Sequence, residues 1–147
     1  MDLPADWRDF LRILIEQKVH FVLIGGIAVI HHGYPRTTGD LDVFYEPTRG
    51  NVIRLRSALD TFLETQFDLT EEELLLPGRI VQLGVPPSRI DLINQIDAVS
   101  FAEAWSSAVQ VEFEHTGQVP IIGREALIKN KLAVGRNRDK DDLEFLK

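Results

Sequence analysis

The sequence predicts one α/β (α+β) domain built on a mixed, twisted sheet with flanking helices. Two observations predict this fold class. Short β-rich apolar runs alternate with segments of helical periodicity along most of the chain. The chain has 147 residues, 44% of them hydrophobic, which is the size and composition of one globular domain, residues 1–147. No repeat, low-complexity tract or linker divides it.

The first part of the chain is predicted to alternate between helix and strand. Apolar residues at i, i+3 and i+4 spacing predict the helices, and β-rich runs that end at Gly or Pro predict the strands. In chain order we predict a helix over 5–18, a strand over 20–24, a short buried helix over 27–32, a strand over 40–45, and a helix capped by Thr48 that runs to about residue 65.

The second part of the chain contains one segment that the pattern does not place. Residues 66–78 hold the acidic run Glu71-Glu72-Glu73, which we interpret as a solvated face. Beyond it we predict two antiparallel strands over 79–85 and 89–93, a helix over 100–107, strands over 109–115 and 119–122, and helices over 124–134 and 139–146.

Composition excludes several classes of function. The 16 Lys and Arg residues against 23 Asp and Glu residues give a net charge of -7, which argues against a broad DNA-binding face. The absence of Cys removes thiol nucleophiles and zinc–thiolate sites and favours a reducing compartment. The longest apolar run, 21–30, is too short to span a membrane, and the N-terminus lacks a signal-peptide pattern. We therefore expect a cytoplasmic protein that does not use a membrane.

Three acidic residues are candidate metal ligands. Asp40 and Asp42 stand two residues apart in a predicted strand, so their side chains leave the same face roughly 6.6 to 6.8 Å apart. Such a pair can hold Mg²⁺ or Mn²⁺, which take carboxylate oxygens and are often shared with substrate phosphates. Asp91 stands within an apolar strand, where a buried acid needs a cation or donor, and it could accept a proton from an attacking hydroxyl. Alternatively, these acids could cap a turn or pair with arginines.

A pair of glycines follows the first predicted strand. Gly25 and Gly26 have no Cβ, so a phosphate could approach the backbone N–H groups at the start of the next helix. The segment lacks the Lys-Ser/Thr of a P-loop and the third spaced glycine of a dinucleotide fingerprint. A tight strand-to-helix turn without a ligand remains the alternative.

Basic and hydroxyl side chains could complete a phosphate site. Arg36 could bind a phosphate bidentately or hold the acidic site together, and Thr38 could orient a ligand or serve the structure. Lys131 lies in an otherwise apolar helix and could alternatively be a snorkelling surface lysine. Asp139 and Asp142 fit the start of the last helix, where we interpret them as caps.

Together these motifs resemble the nucleotidyltransferase superfamily whose catalytic domain is shared with DNA polymerase β. The resemblance is greatest to small bacterial and archaeal members related to abortive-infection and toxin–antitoxin enzymes, and it covers 19–46, 79–95 and 121–146. The matching motifs are Gly25-Gly26-Ile27-Ala28, His32-Gly33, Arg36-x-Thr38-x-Asp40-Leu41-Asp42-Val43, Arg89-Ile90-Asp91-Leu92, Ala126-Leu127-Ile128-x-x-Lys131-Leu132-Ala133, Gly135-Arg136 and Arg138-Asp139-x-x-Asp142-Leu143.

The resemblance implies metal-dependent transfer of a nucleoside monophosphate from an NTP to a protein or RNA acceptor, with pyrophosphate leaving. Asp40 and Asp42 would hold the ions, and Asp91 would join the catalytic metal. The implied nucleotide contacts are Gly25, Gly26, Arg36, Thr38 and Lys131. Gly26 departs from the family pattern, because many members have a serine there that contacts phosphate. That contact would have to come from the backbone alone.

Two other functions use the same residues. A non-catalytic nucleotide-binding partner or regulator could retain the fold, for example within a toxin–antitoxin pair, although the intact acids favour an enzyme. Metal-dependent phosphodiester hydrolysis could use the same carboxylates, but it gains nothing from a turn that cradles a triphosphate.

Overall fold

The computed structural model describes residues 2–146, which form seven helices and a six-stranded sheet. The elements are α1 (Ala5–Glu16), β1 (Phe21–Ile24), α2 (Gly25–His31), β2 (Asp40–Tyr45), α3 (Arg49–Leu63), α4 (Glu71–Leu75), β3 (Ile80–Leu83), β4 (Arg89–Ile93), α5 (Phe101–Ser107), β5 (Val109–Phe113), β6 (Gly117–Ile121), α6 (Arg124–Val134) and α7 (Asn137–Leu146). Over this part of the chain, no helix combines the length and the apolarity needed to cross a bilayer.

The sheet is mixed, which confirms the predicted fold class. Its strand order is β3-β4-β2-β1-β6-β5. β1 runs antiparallel to β2 and parallel to β6, and β2 runs parallel to β4. The outer pairs, β3 with β4 and β5 with β6, are antiparallel. The parallel β2–β4 register matters for function, because it places Asp42 opposite Asp91 and Asp40 opposite Arg89.

The core lies between the sheet and its helices. All four residues of β1 are buried, as are Leu41 and Val43 of β2. The apolar stripe of α1, which includes Phe10 and Leu14, is fully buried where α1 contacts α3 and β6. Burying each such side chain contributes roughly 1.5 to 3 kcal/mol. Because β2 buries its apolar face, its acidic residues project from the opposite face.

The predicted glycine turn is part of a helix. α2 begins at Gly25, directly after β1, so the two glycines form its first turn, whereas the sequence predicted a helix only from residue 27. Gly25 has φ +64°, a left-handed conformation that glycine adopts at little cost. This conformation turns the chain from strand to helix without an intervening loop.

The unplaced acidic segment contains the short helix α4. The Thr70 hydroxyl accepts a hydrogen bond from the Glu73 N–H at 3.1 Å, and the Glu73 carboxylate accepts one from the Thr70 N–H at 3.3 Å. These two bonds form a capping box. Glu71 and Glu72 each accept from Arg49 at 3.2 Å, so the acidic face carries surface ion pairs with α3.

The predicted cap of α3 is absent. Thr48 occupies the N-cap position of this helix, but its side chain makes no capping hydrogen bond. Its hydroxyl donates instead to the Glu46 carboxylate at 3.1 Å, two residues away. The helix therefore begins where the sequence predicted, without that hydrogen bond.

Candidate active site

Three carboxylates meet on the polar face of two neighbouring strands. Asp40 and Asp42 alternate with buried Leu41 and Val43 along β2, and Asp91 lies opposite Asp42 on β4. One carboxylate oxygen from each of the three acids lies within 4.8 Å of those of the other two. We call Asp40, Asp42 and Asp91 the acidic triad.

Burial and neighbouring charges change the ionisation of Asp42 and Asp91. Burial, together with the charges of Asp40 and Asp91, raises the pKa of Asp42 to about 8. Burial also raises the pKa of Asp91, and the hydrogen bonds and charge of Arg89 oppose this shift. Asp42 therefore keeps its proton at neutral pH, and a cation that binds there would release it.

Arg89 is the cation hydrogen-bonded to the triad. Its Nε donates to Asp91 Oδ1 at 3.0 Å, and its NH2 group donates to Asp91 Oδ2 at 3.1 Å and to Asp40 Oδ2 at 3.3 Å. Arg89 and Asp91 are two residues apart on β4, so their side chains share one face of the strand. This contact is the pairing with an arginine that the sequence left open as the structural alternative for Asp91, and the two-residue spacing of Arg89 and Asp91 signals it.

The first turn of α2 approaches the acidic triad closely. A Cβ on Gly25 would collide with the carboxylate of Asp42. A Cβ on Gly26 would lie 2.5 Å from the Thr38 hydroxyl oxygen and 2.7 Å from the Thr38 Cβ. Both positions therefore require glycine in this arrangement. The space that a serine would need at position 26 is occupied by Thr38, which places a hydroxyl beside the backbone of α2.

Arg36 reaches the last helix. Its Nε and NH2 groups donate to the two carboxylate oxygens of Asp142 at 2.9 and 3.2 Å, and its NH1 group donates to the Thr37 carbonyl at 3.1 Å. The Asp142 side chain is fully buried, and that of Arg36 is 14% exposed. In this structure the guanidinium holds the loop before β2 against α7.

Lys131 is buried, which differs from a snorkelling surface lysine. Only 4% of Lys131 is exposed, and its Nζ lies 2.9 Å from Asp139 and 3.1 Å from Asp142. Both aspartates are fully buried. Burial alone would raise the pKa of Asp139, but hydrogen bonds from Arg136 and Lys131 lower it to about 2.

The two aspartates of α7 bind basic side chains, a role that the predicted capping did not include. Asp139 accepts from the Arg136 N–H at 3.1 Å, just before α7 begins, and it also binds Lys131. Asp142 binds the side chains of Arg36 and Lys131 and forms no cap. Their three-residue spacing places both on one face of α7, a signal visible in the sequence. Their partners were not predictable, because Arg36 lies 106 residues before Asp142.

A cleft of about 440 Å³ opens over the acidic triad, within the size range of small-molecule sites. A narrower recess of about 30 Å³ adjoins it, between the first turn of α2 and the corner that joins α6 to α7. The cleft walls include the apolar residues Ile80, Ile93, Ile96 and Val134 and the amide residues Gln82, Gln95 and Asn130. The recess is lined by Gly25, Gly26, Arg36, Thr38, Asp40, Asp42, Lys131, Arg136 and Arg138.

The structure brings together all eight residues that the sequence singled out. Asp40, Asp42 and Asp91 line the cleft, and the other five line the adjoining recess. Three carboxylates whose oxygens converge fit a hard divalent cation, which takes oxygen ligands. The exposed cations Arg136 and Arg138 also line the recess, and they were not among the predicted site residues.

A second cavity, of about 360 Å³, lies on another part of the surface. Its lining includes Phe21 of β1, Pro120 of β6 and the partly exposed Trp105 of α5, whose ring lies 5.0 Å from that of His20. It contains none of the predicted site residues.

Comparison with known proteins finds similarity in structure. No protein-family model matches the chain, and no curated protein sequence matches it significantly. A provisionally assigned nucleotidyltransferase from Thermotoga maritima is 14% identical, with a TM-score of 0.60 over 94% of this chain and 88% of that one. The aminoglycoside nucleotidyltransferase ANT(2")-Ia, solved with adenylyl-2"-tobramycin, is 15% identical, with a TM-score of 0.57 over 95% of this chain and 84% of that one. At these identities the similarity shows a shared fold.

Proposed function

We propose that this chain, which has the fold of the nucleotidyltransferase superfamily, is a metal-dependent enzyme that moves a nucleoside monophosphate from an NTP to a protein or RNA acceptor. One observation carries the proposal: three carboxylates converge within 4.8 Å in the lining of a cleft, beside a recess lined with basic residues. Carboxylates that hold divalent ions next to a polyphosphate site are the arrangement that phosphoryl-type transfer needs.

Asp40, Asp42 and Asp91 would hold Mg²⁺ or Mn²⁺. The bound ions would neutralise the triphosphate and lower the pKa of the acceptor hydroxyl. In the transfer, the acceptor oxygen forms a bond to the α-phosphorus, and the bond from that phosphorus to pyrophosphate breaks. Asp91 is the candidate base for the hydroxyl proton, because burial raises its pKa toward the range in which a carboxylate accepts protons.

The triphosphate would lie in the cleft of about 440 Å³ and reach into the adjoining recess. The backbone of Gly25 and Gly26 can approach a phosphate closely. The Thr38 hydroxyl donates to the Asp40 carbonyl at 3.2 Å, and it would supply the contact that a side chain at position 26 cannot by turning this donor to the phosphate. Lys131 keeps its ammonium group at the recess because Asp139 and Asp142 hold it there. We assign Arg36 to organising this wall, since Asp142 occupies two of its donor groups.

We propose a chemical class for the acceptor, namely a protein or an RNA. ANT(2")-Ia carries an adenylylated aminoglycoside in its structure, whereas the resemblance to toxin–antitoxin enzymes favours a protein or RNA acceptor here. The formal charge of -7 disfavours broad electrostatic binding of a long nucleic acid, so an RNA would bind locally or through a partner protein.

Transfer is tested with each of the four α-labelled NTPs and Mg²⁺, with and without total RNA and cell extract. We expect one nucleotide to label RNA or protein with the wild type and with Asp68→Asn, an exposed carboxylate outside the cleft lining. Asp40→Asn and Asp42→Asn should abolish labelling. Wild-type protein that binds an NTP but labels no acceptor would instead support the non-catalytic regulator.

A further inference from the structure

The orientation of Arg89 bears on how the acidic triad takes up metal ions. Arg89 donates to both oxygens of Asp91, to one oxygen of Asp40 and to neither oxygen of Asp42. Its two contacts to Asp91 are a side-on guanidinium fork, a geometry that adds specificity as well as charge. The guanidinium therefore covers the Asp91 side of the triad and leaves the Asp42 side open.

The oxygens that Arg89 occupies are those that a second ion would need. Both carboxylate oxygens of Asp91 are engaged at 3.0 and 3.1 Å, so neither is free for an ion while the guanidinium stays in place. A divalent ion there would also lie close to a like charge, which is unfavourable at short range. Asp42 and the second oxygen of Asp40 remain available to one ion.

We infer that Arg89 is the resident counter-cation of the acidic triad, which holds Asp91 and Asp40 in position and must leave before an ion binds Asp91. The inference rests on the proposed function. It makes Arg89 a positioning residue, and it divides metal binding into two steps. The first ion binds at Asp40 and Asp42 with Arg89 in place, and the second replaces the guanidinium.

The surroundings of Arg89 permit this exchange. Its side chain is 29% exposed and lies at the cleft, whereas the side chain of Asp91 is 9% exposed. The long arginine side chain can therefore move into the cleft while the carboxylate stays fixed on β4. A cation anchored in the chain also explains how three acids are tolerated together before metal binds.

The test measures Mn²⁺ binding to the metal-free protein, without nucleotide, by calorimetry and by the electron paramagnetic resonance signal of free Mn²⁺. We expect Arg89→Gln to bind the second Mn²⁺ about tenfold more tightly than the wild type, because one competing charge is removed. Arg89→Lys keeps the charge but not the fork, so its affinity for the second Mn²⁺ should lie between those of the wild type and Arg89→Gln. Arg124→Gln, which changes an exposed arginine that contacts the His32 carbonyl, is the control and should not differ.

A second measurement separates competition from a structural role. In EDTA, Arg89→Gln should melt below the wild type, and Mn²⁺ should raise its melting temperature by more than it raises that of the wild type. If Arg89→Gln unfolds in EDTA, recovery by Mn²⁺ and not by NaCl of equal ionic strength supports the inference. Equal recovery by both salts contradicts it.

Unchanged or weaker Mn²⁺ binding by Arg89→Gln overturns the inference. If the wild type still transfers a labelled monophosphate, the proposed function stands without the inference about Arg89. If Asp40→Asn also leaves Mn²⁺ binding unchanged, the metal assignment of the proposed function fails together with the inference.

Discussion

At Asp42, burial and two neighbouring acids act on one carboxyl group and raise its pKa to about 8. The unfolded chain releases this proton near pH ~4, whereas the folded, metal-free protein keeps it until about pH 8. The contribution of Asp42 to stability is therefore most favourable below pH ~4 and declines as the pH rises from about 4 to about 8. We expect Asp42→Asn to remove this decline and to raise the melting temperature by several degrees at high pH.

Melting curves in EDTA at about pH 5 and about pH 8.5 test this expectation, since the two values bracket most of the titration. Asp68→Asn is the matched control, because it removes a carboxylate that is exposed. A melting temperature for Asp42→Asn several degrees below the wild type at the higher pH would show that Asp42 holds the fold together instead.

A substitution at Asp91 should separate the transfer activity from nucleotide binding. Asp40 and Asp42 can hold the ion that accompanies the triphosphate, whereas activation of the acceptor hydroxyl needs the third carboxylate. Asp91→Asn is nearly isosteric and keeps an oxygen that can accept from Arg89, so the fold should persist. We expect NTP affinity within about twofold of the wild type and transfer lower by ~10²-fold or more. Full transfer by this variant would refute the assigned role, and loss of both properties would mean that Asp91 shapes the whole pocket.

The sequence supported prediction of the acids better than prediction of their partners. The two-residue spacing of Asp40 and Asp42, and the apolar neighbours of Asp91, place them on strand faces by local geometry alone. The same spacing relates Arg89 to Asp91, so this contact was within reach of the sequence. The burial of Lys131 could not be predicted from the sequence, because it depends on carboxylates that a separate helix supplies.

At the scale of elements, α7 stabilises the basic wall of the site. Asp142 is fully buried, accepts from Arg36 at 2.9 Å and lies 3.1 Å from the Lys131 Nζ. Replacing it with Asn leaves two cations with too little compensating charge, so we expect Asp142→Asn to lower the free energy of unfolding by ~3 kcal/mol. The neighbouring Asp141 is exposed on the same helix. Asp141→Asn should change the free energy of unfolding by less than ~0.5 kcal/mol. Urea denaturation measures both, and equal effects would contradict the buried network.

Within residues 2–146, the sequence predicted every helix and strand except α4 to within two residues of each end. The predicted helix over 124–134 coincides with α6, and the predicted strand over 40–45 coincides with β2. α4 has only five residues, too few for a periodic signal, and its local mark is the Thr70 and Glu73 pair of the capping box. α2 begins at a glycine with positive φ, which sequence patterns treat as a turn.

For the whole molecule, the sequence predicted the sheet class and left the strand order open. The order depends on parallel pairing between β1 and β6, whose paired residues Leu23 and Ile121 lie far apart in the chain. Such pairing leaves no local pattern, since each strand carries only its own burial signal. The distribution of charge is also a property of the whole fold. A chain with net charge -7 collects Arg36, Lys131, Arg136 and Arg138 at one recess.

The central claim is that the acidic triad holds metal ions that bind an NTP. The most direct test is calorimetry of each NTP with the wild type, Asp40→Asn and Asp42→Asn, in Mg²⁺ and in EDTA. We expect the wild type to bind one NTP in Mg²⁺ and to lose at least about tenfold in affinity in EDTA and in each variant, because removing a ligand charge leaves triphosphate repulsion uncompensated. Equal Mg²⁺-dependent affinity of the wild type and both variants would contradict the metal assignment.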